Sequence, residues 1–305
     1  MVGIVKKFLI GASVAAGMSA IATAPAFAGT LTGATIGGTA ASDYYVYDSD
    51  GTNTFLVPNN AANVQKALSG NAASPTGNVE LRRSSEQANF DFTKNTTLTG
   101  QIGGKDITLS SLTESDWTGA FANKWYSAAL VENGFASVLN NAAVYVSGFN
   151  KFKSNGGFQR FSDPNISYVN QDDSTGQISI GLAGHFDATD LLLAGLTQQE
   201  KGMFFSMRSA DKQGKAIQAS EIVKYTYDGK TDYLYSFLAT NSGLVNGVGP
   251  GADGKSHNGN YEVKMPGSKA VSAPGLQAVP EPSSVLALIA LGGIFASKRK
   301  LMKQA

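Results

Sequence analysis

The chain offers few residues of the types that perform enzymatic chemistry. It has two histidines, His185 and His257, and no cysteine in 305 residues, which excludes cysteine nucleophiles and thiolate metal sites. His185 and Asp187 would share one face of a strand, but no G-x-S-x-G nucleophile turn accompanies them. The 23 acids include many pairs that a fold could bring to working separation for glycoside hydrolysis, and no pair stands out. We therefore predict that the chain is not an enzyme, with a secreted hydrolase as the less favoured alternative.

One segment matches a nucleotide-binding pattern. Residues 249–256 read G-P-G-A-D-G-K-S, which fits the G-x-x-x-x-G-K-[ST] phosphate-binding loop. That loop works only between a buried strand and a helix whose N-terminal amides face the phosphates. Here Ser256 is followed by His-Asn-Gly-Asn, which does not favour a helix, and Pro250 stiffens the loop. We interpret Lys255 as an ordinary loop lysine and predict that no nucleotide binds.

Two acidic turns resemble calcium loops, at residues 48–53 and 172–176. In an EF-hand register, Gly51 at position six places Asp48 and Asp50 at positions three and five. Val46 and Val57 then stand at positions one and twelve, where oxygen ligands are required. We favour hairpin turns and retain Asp48 and Asp50 only as candidate ligands of a non-standard calcium site. No other metal or cofactor is predicted.

The strongest helical pattern of the central region spans about 112–139. Trp117, Phe121 and Trp125 follow one another at near-helical spacing, and Asn133-Gly134 is a natural stop. The favoured interpretation is that both tryptophans face the core. The alternative is a platform on which carbohydrate rings stack.

The rest of the central region is typical of a β-rich extracellular domain. Glycine is plentiful (35 residues) and charged residues make up only 15%, which suits many tight turns. The predicted strands lie within 30–57 and at 79–81, 90–92, 107–109, 144–152, 166–169, 178–182, 203–207, 222–227 and 233–238. A short helix is expected at 59–68. We predict a mainly β ectodomain over 29–267, an antiparallel sandwich with one helical insertion, followed by a linker at 268–278.

The N-terminal segment has the three zones of a secretory signal peptide. Lys6 and Lys7 supply positive charge, residues 8–21 are apolar and small, and Ala26-Phe27-Ala28 ends the segment. We predict that residues 1–28 pass through the Sec translocon and that a signal peptidase, reading Ala26 and Ala28, cuts after Ala28.

The C-terminal segment has a different order. Pro280-Glu281-Pro282 precedes a predicted short transmembrane helix at 283–297, and Lys298, Arg299 and Lys300 open a basic tail at 298–303. About 12 to 15 apolar residues reach roughly 18–22 Å, short of a hydrocarbon core of ~30 Å. The helix can hold if flanking cations snorkel, with the basic tail remaining cytoplasmic. The prolines keep Glu281 in extended chain, where a protease could reach it.

This C-terminal order resembles the PEP-CTERM sorting signal of bacterial envelope and exopolysaccharide systems, over residues 279–303. The resemblance implies recognition and cleavage by an exosortase, a membrane-embedded cysteine protease. The same tail is sometimes labelled an ice-binding protein C-terminal region, which implies nothing about ice. The central region resembles an uncharacterised, chiefly cyanobacterial family of PEP-CTERM proteins through segments that begin at Ile36, Asn71 and Gly103. That family has no assigned activity and implies no site residues.

The charge balance limits the class of partner. Six of the 24 basic residues lie in the two terminal segments, which leaves 18 against 23 acids, a net charge of about −5 if Glu281 is kept. An acidic mature chain argues against nucleic-acid binding. We expect an exported protein, anchored transiently by its C-terminal helix and then held in the envelope or released. Its expected role is structural or adhesive, with exopolysaccharide as a candidate partner and a carbohydrate-binding module as the alternative.

Overall fold

The structure is a computed structural model and describes residues 29–269, which form part of one compact unit. The strands are β1 Gly29–Thr30, β2 Thr32–Gly37, β3 Tyr44–Ser49, β4 Thr54–Val57, β5 Gly77–Leu81, β6 Thr97–Ile102, β7 Lys105–Ser110, β8 Asn165–Gln171, β9 Gln177–Gly184, β10 Val223–Tyr227, β11 Lys230–Leu234, β12 Thr240–Asn241 and β13 Gly259–Pro266. The helices are α1 Ala61–Ala67, α2 Ala120–Glu132, α3 Ala136–Leu139, α4 Ala142–Ser154, α5 Gly157–Arg160, α6 Thr189–Leu192 and α7 Gln198–Ser206, with 3-10 turns at Glu114–Trp117 and Ala210–Lys212. The predicted signal peptide, sorting motif, transmembrane helix and basic tail lie outside the described residues.

Two antiparallel sheets form the framework. The eight-stranded sheet has the order β12-β13-β9-β8-β5-β3-β4, and β1 pairs with β8 beside this path. The five-stranded sheet has the order β11-β10-β7-β6-β2. This arrangement confirms the predicted fold class, mainly antiparallel β with helices added.

The first hydrophobic core lies between the sheets. Val46, Val79 and Ile166 stand opposite one another on adjacent strands of the larger sheet, and all three are fully buried. They pack in the same cluster as Leu98 and Leu109, which are paired in the smaller sheet. Burying each such side chain stabilises the fold by about 1.5–3 kcal/mol, so alternate residues of these strands hold the two sheets together.

The second core belongs to the helices. The predicted insertion at 112–139 is confirmed as a 3-10 turn followed by α2 and α3. The predicted strand at 144–152 is wrong, because this segment forms most of α4. Val144, Gly148 and Phe152 are buried at a spacing of four residues, which is a helical period, and Asn141 caps the helix by accepting from the amide of Val144.

Two further strand predictions are also wrong. Residues 203–207 lie at the end of α7, which begins at a capping box in which Thr197 and Glu200 bond each other's backbone amides. Residues 90–92 belong to a loop between β5 and β6. In both places the apolar residues extend over only a few positions, and the neighbouring helix start or turns determine the backbone conformation.

The hairpins and the short helix are confirmed, but the strand predicted at 233–238 runs over Lys230–Leu234. β10 and β11 join through Asp228 and Gly229, whose φ angles of 51° and 71° are those of the type I′ turn that suits strand twist. β3 and β4 pair across Asp50-Gly51, and α1 is capped by the side chain of Asn60. Within residues 29–269, none of the helices has the length and apolar character needed to cross a bilayer.

Candidate functional site

A row of five threonines crosses the smaller sheet from edge to edge. Thr35 of β2 pairs with Thr99 of β6, which pairs with Thr108 of β7, then Thr226 of β10 and Thr231 of β11. We call these five residues the threonine row. Since residues paired across adjacent antiparallel strands share a face, the five side chains all project from the same side of the sheet.

The flanking residues determine which face the row occupies. Leu98 precedes Thr99 and is buried in the core between the sheets, as are Ile107 and Leu109 on either side of Thr108. Successive side chains of a strand point to opposite faces, so the threonines point away from that core. Thr99 and Thr108 are half-buried by their neighbours, and the other three threonines are exposed.

The hydroxyls at both ends of the row are linked in pairs. The hydroxyl oxygens of Thr35 and Thr99 lie 2.7 Å apart, and those of Thr226 and Thr231 lie 2.8 Å apart. Each hydroxyl combines one donor with two acceptor lone pairs, so a paired threonine retains hydrogen-bonding capacity toward solvent. The hydroxyl of Thr108, between the pairs, has no hydrogen-bond partner among residues 29–269.

A groove opens beside the row at the edge strand β2. The register of β2 against β6 shifts between Thr32 and Thr35, which marks a β-bulge. The groove has a volume of about 480 Å³ and includes Thr99 and Thr108 in its lining, together with Thr32, Gln101 and Asp106. Ligand sites commonly span ~300–1,000 Å³, so the groove is large enough for a small polar molecule or one unit of a polymer.

Two cations near the row are paired with carboxylates, and one carboxylate in the groove is paired with an amide. Lys105 donates to Asp228 across 2.7 Å, and Asp106 accepts from the side-chain amide of Gln101 across 2.9 Å. At the other end, Lys224 donates to Asp116 across 2.7 Å. The face therefore presents hydroxyls and methyl groups, and Asp106, whose partner is a neutral amide, leaves a negative charge in the groove.

Three carboxyl groups lie close to the other sheet. This carboxyl cluster consists of Glu80 on β5, Asp163 between α5 and β8, and Glu221 just before β10. The hydroxyl of Tyr47 donates to Glu80 across 3.2 Å, and the amide of Asn165 donates to Glu221 across 2.9 Å. One oxygen of Asp163 accepts from Ser85, and the other has no partner among the described residues.

Burial and mutual repulsion raise the proton affinity of this cluster. Burial raises the pKa of Glu80 to about 8, and the charge of Asp163 adds to the effect. Burial also raises the pKa of Asp163 to about 6, against the opposing charge of Arg160. The pKa of Glu221 is raised well above its ordinary range by burial and by the charge of Asp163. Such shifts are typical of general acids. The cluster, however, lines neither the groove beside the threonine row nor a small cavity beside His257.

The two tryptophans are not available to a carbohydrate. Trp117 is 6% exposed and Trp125 is fully buried. Their rings meet edge to face at 5.4 Å, and the indole nitrogen of Trp117 donates to Ser162 across 2.7 Å. The core-facing interpretation is confirmed, and the alternative of a stacking platform at these residues is wrong.

The candidate calcium ligands Asp48 and Asp50 lie in the β3–β4 hairpin and contact protein groups. Asp48 accepts from the ammonium of Lys66 across 2.5 Å, and Asp50 accepts from the amides of Thr52 and Asn53 across 2.9 and 2.7 Å. These bonds are those of a capped turn. No group of three or more histidine, aspartate or glutamate residues within residues 29–269 is placed to hold a metal ion.

The glycine-rich loop is organised by its own polar residues. Asp253 accepts from the amides of Lys255 and Ser256, both across 2.9 Å, and the chain then enters β13 rather than a helix. The geometry that a phosphate-binding loop requires is therefore not formed.

His257 is buried with its ring nitrogen 2.7 Å from the hydroxyl of Thr54, next to a cavity of only about 10 Å³. A ring nitrogen of His185 lies 3.8 Å from a carboxylate oxygen of Asp253.

Sequence reasoning missed both the threonine row and the carboxyl cluster. Thr35, Thr108 and Thr226 each stand between two apolar or aromatic residues on their own strands, a visible signal. The row nevertheless exists only because five strands pair in this register. The acids of the cluster stand 83 and 58 positions apart along the chain, and no local pattern connects them.

The predicted processing residues lie outside the described residues. They are Ala26, Ala28, Pro280, Glu281 and Pro282, together with the basic residues Lys298, Arg299 and Lys300.

Comparison with known proteins identifies the C-terminal segment. The family model described as the PEP-CTERM protein-sorting motif matches residues 278–300. This match confirms the predicted sorting signal, and it implies an exported protein that is held by a transient C-terminal anchor and processed by an exosortase. No curated protein and no solved structure matches the chain.

Proposed function

Because the chain carries a PEP-CTERM sorting motif, we propose that it is a surface protein whose sandwich performs a structural or adhesive role after an exosortase has removed the tail. The observation that carries the proposal is the match over residues 278–300. In this proposal the sandwich is delivered outside the cytoplasm, with the signal peptidase acting at Ala28 and the exosortase near Glu281.

The described residues support a non-enzymatic role for the sandwich. The groups with the largest shifts in proton affinity, Glu80, Asp163 and Glu221, are at least half-buried and do not line either cavity described above. The groove on the smaller sheet carries hydroxyl and amide groups and one carboxylate, which suits binding better than glycoside hydrolysis, since that reaction uses a pair of carboxylates.

Intact-mass measurement of the protein isolated from the cell surface tests the processing step. The expected mature form lacks both residues 1–28 and the segment from Ser283 to Ala305. The variant Glu281→Ala should accumulate the form that retains the tail, whereas Glu132→Ala, an exposed glutamate on α2, should be processed as the wild type. A wild-type surface form that still contains Ser283 to Ala305 would refute the proposal.

Cells that lack the exosortase provide the second arm of the test. The protein should remain in the membrane fraction with its tail, because the short apolar helix with its basic end holds it there. Release of the sandwich at the normal rate from such cells would show that another protease processes the chain.

A further inference from the structure

We propose that the threonine row and the groove beside it bind an uncharged polysaccharide chain. The proposal deepens the adhesive role by naming its partner, and it rests on that role only in placing the sandwich where extracellular polysaccharide occurs.

The row provides a line of groups that match the chemistry of a sugar. Neighbouring strands lie about 4.7–4.9 Å apart, so the five paired threonines span roughly 19 Å, with their hydroxyls arranged as two close pairs on either side of the single hydroxyl of Thr108. Each threonine also presents a methyl group. Sugar units likewise combine hydroxyls with apolar C–H surface, so a polysaccharide lying across the strands can meet hydrogen-bonding and apolar groups in alternation.

The unused hydrogen-bonding capacity is greatest at the centre of the row. The hydroxyl of Thr108 has no partner among residues 29–269, while Thr99 and Thr226 on either side are each bonded to a threonine of the outer strands. The central three positions therefore offer the most to a ligand. They also lie on the three inner strands of the sheet, where the backbone is fixed on both sides.

The charge of the face selects an uncharged partner over an anionic one. Binding of anionic polymers depends on cations that are free to meet the anion. Here Lys105 is paired with Asp228 and Lys224 with Asp116, both across 2.7 Å. Asp106 adds a negative charge to the groove, which disfavours an acidic chain further.

The groove gives the face a place to hold one sugar unit more firmly. It borders Thr99 and Thr108 of the row and has a volume of about 480 Å³. Gln101 and Asp106 line it and already bond each other across 2.9 Å, so a sugar hydroxyl can bond the remaining acceptor and donor sites of both groups. Each such bond contributes only about 0.5–1.5 kcal/mol, so useful affinity requires several units of one chain to bind together.

Affinity electrophoresis of the mature protein purified from the producing cells tests the proposal. The wild type is run in native gels that contain dextran, hydroxyethyl cellulose or the anionic polysaccharide alginate. We expect retardation by at least one of the two neutral glucans and none by alginate. The triple variant Thr99→Val, Thr108→Val, Thr226→Val removes three hydroxyls and keeps β-branched side chains on the strands, and we expect its dissociation constant to rise tenfold or more.

Controls separate loss of the site from loss of the fold. Thr52→Val replaces an exposed threonine in the β3–β4 turn and should bind as the wild type. The triple variant should show the circular dichroism spectrum of the wild type. Retention of wild-type affinity by a folded triple variant would refute the proposal, as would the absence of retardation in both neutral glucans or stronger retardation in alginate.

Two other outcomes identify a different explanation. A doubled mass in sedimentation velocity that returns to the monomer value in the triple variant would assign the face to a second copy of the chain, against the proposal. A protein that is processed normally yet binds neither glucan would refute this inference alone, since the intact-mass measurement tests the proposed sorting independently.

Discussion

The carboxyl cluster shows how a single residue can make folding depend on pH. Burial disfavours the ionised forms of Glu80 and Asp163 and raises the pKa of both, and the charge of Asp163 raises the pKa of Glu80 further. The burial that raises these pKa values also separates the groups from the described cavities. The cluster therefore bears on the stability of the folded state, and its effect should be measurable without any ligand.

Replacing Glu80 by glutamine should flatten the pH dependence of stability. A carboxyl with a raised folded-state pKa binds its proton more tightly when folded, so its contribution is complete below its ordinary pKa near 4.5 and is lost as the pH rises through about 8. The wild-type free energy of unfolding should therefore fall between pH 5 and 8.5, and Glu80→Gln should reduce that fall by roughly 1–3 kcal/mol. Urea unfolding at several pH values measures it.

The exposed Glu132→Gln is the matched control for this measurement and should leave the pH profile unchanged. An identical decline in wild type and Glu80→Gln would mean that Glu80 is ionised without penalty in the folded protein, contrary to its raised pKa.

At the scale of the element, the helices show where local patterns mislead. The segment 144–152 opens with a β-branched and aromatic run that is typical of strands. It nevertheless forms most of α4, because its buried positions repeat every four residues against α2 and α7. In contrast, the Asp228-Gly229 turn and the Asn60 cap are specified by local chemistry. Elements that are specified by such local chemistry can be predicted from the sequence. Elements whose buried face is determined by packing against a distant part of the chain cannot.

Two glycine-to-alanine variants test the packing of α4 against α7. A Cβ at Gly148 would lie 2.6 Å from the ring of Phe204 and 3.0 Å from the hydroxyl of Tyr126, so Gly148→Ala should destabilise the protein by about 1–3 kcal/mol through overpacking. Gly202, within α7, has open space around its Cβ position. Gly202→Ala should stabilise by about 0.4–1 kcal/mol, because alanine favours the helix.

Thermal unfolding of both variants provides the measurement. The opposite signs matter more than the magnitudes, since alanine favours a helix at both positions and only the close contacts with Phe204 and Tyr126 differ. Stabilisation by Gly148→Ala would show that α4 and α7 lie further apart than described.

At the scale of the whole molecule, residues 29–269 contain two cores within one compact unit. Glu221 and Ile222 mark the boundary between the two cores. The strand β10 that follows them belongs to the smaller sheet, whereas Ile222 packs in the helical core. The chain passes repeatedly between sheet and helix, so neither core is assembled from one continuous segment. This interleaving predicts joint unfolding.

The two cores should unfold in a single transition. The chain has only two tryptophans, and both are in the helical core, so fluorescence reports on that core while far-ultraviolet circular dichroism reports on both. Coincident urea transitions are expected for a two-state domain. A fluorescence transition at lower urea than the circular dichroism transition would show that the helical core unfolds separately.

The sequence by itself determined where this protein is sent and most of its strand pattern. The sorting motif is a contiguous run of residues, and strand alternation is a property of neighbours along the chain, so neither requires knowledge of distant contacts. Only the tertiary structure decided that Trp117 and Trp125 are buried, that Glu80 meets Asp163, and that five threonines form one row. Each of these depends on the register between segments far apart in sequence, and a shift of one residue in pairing would move every threonine of a strand to the opposite face.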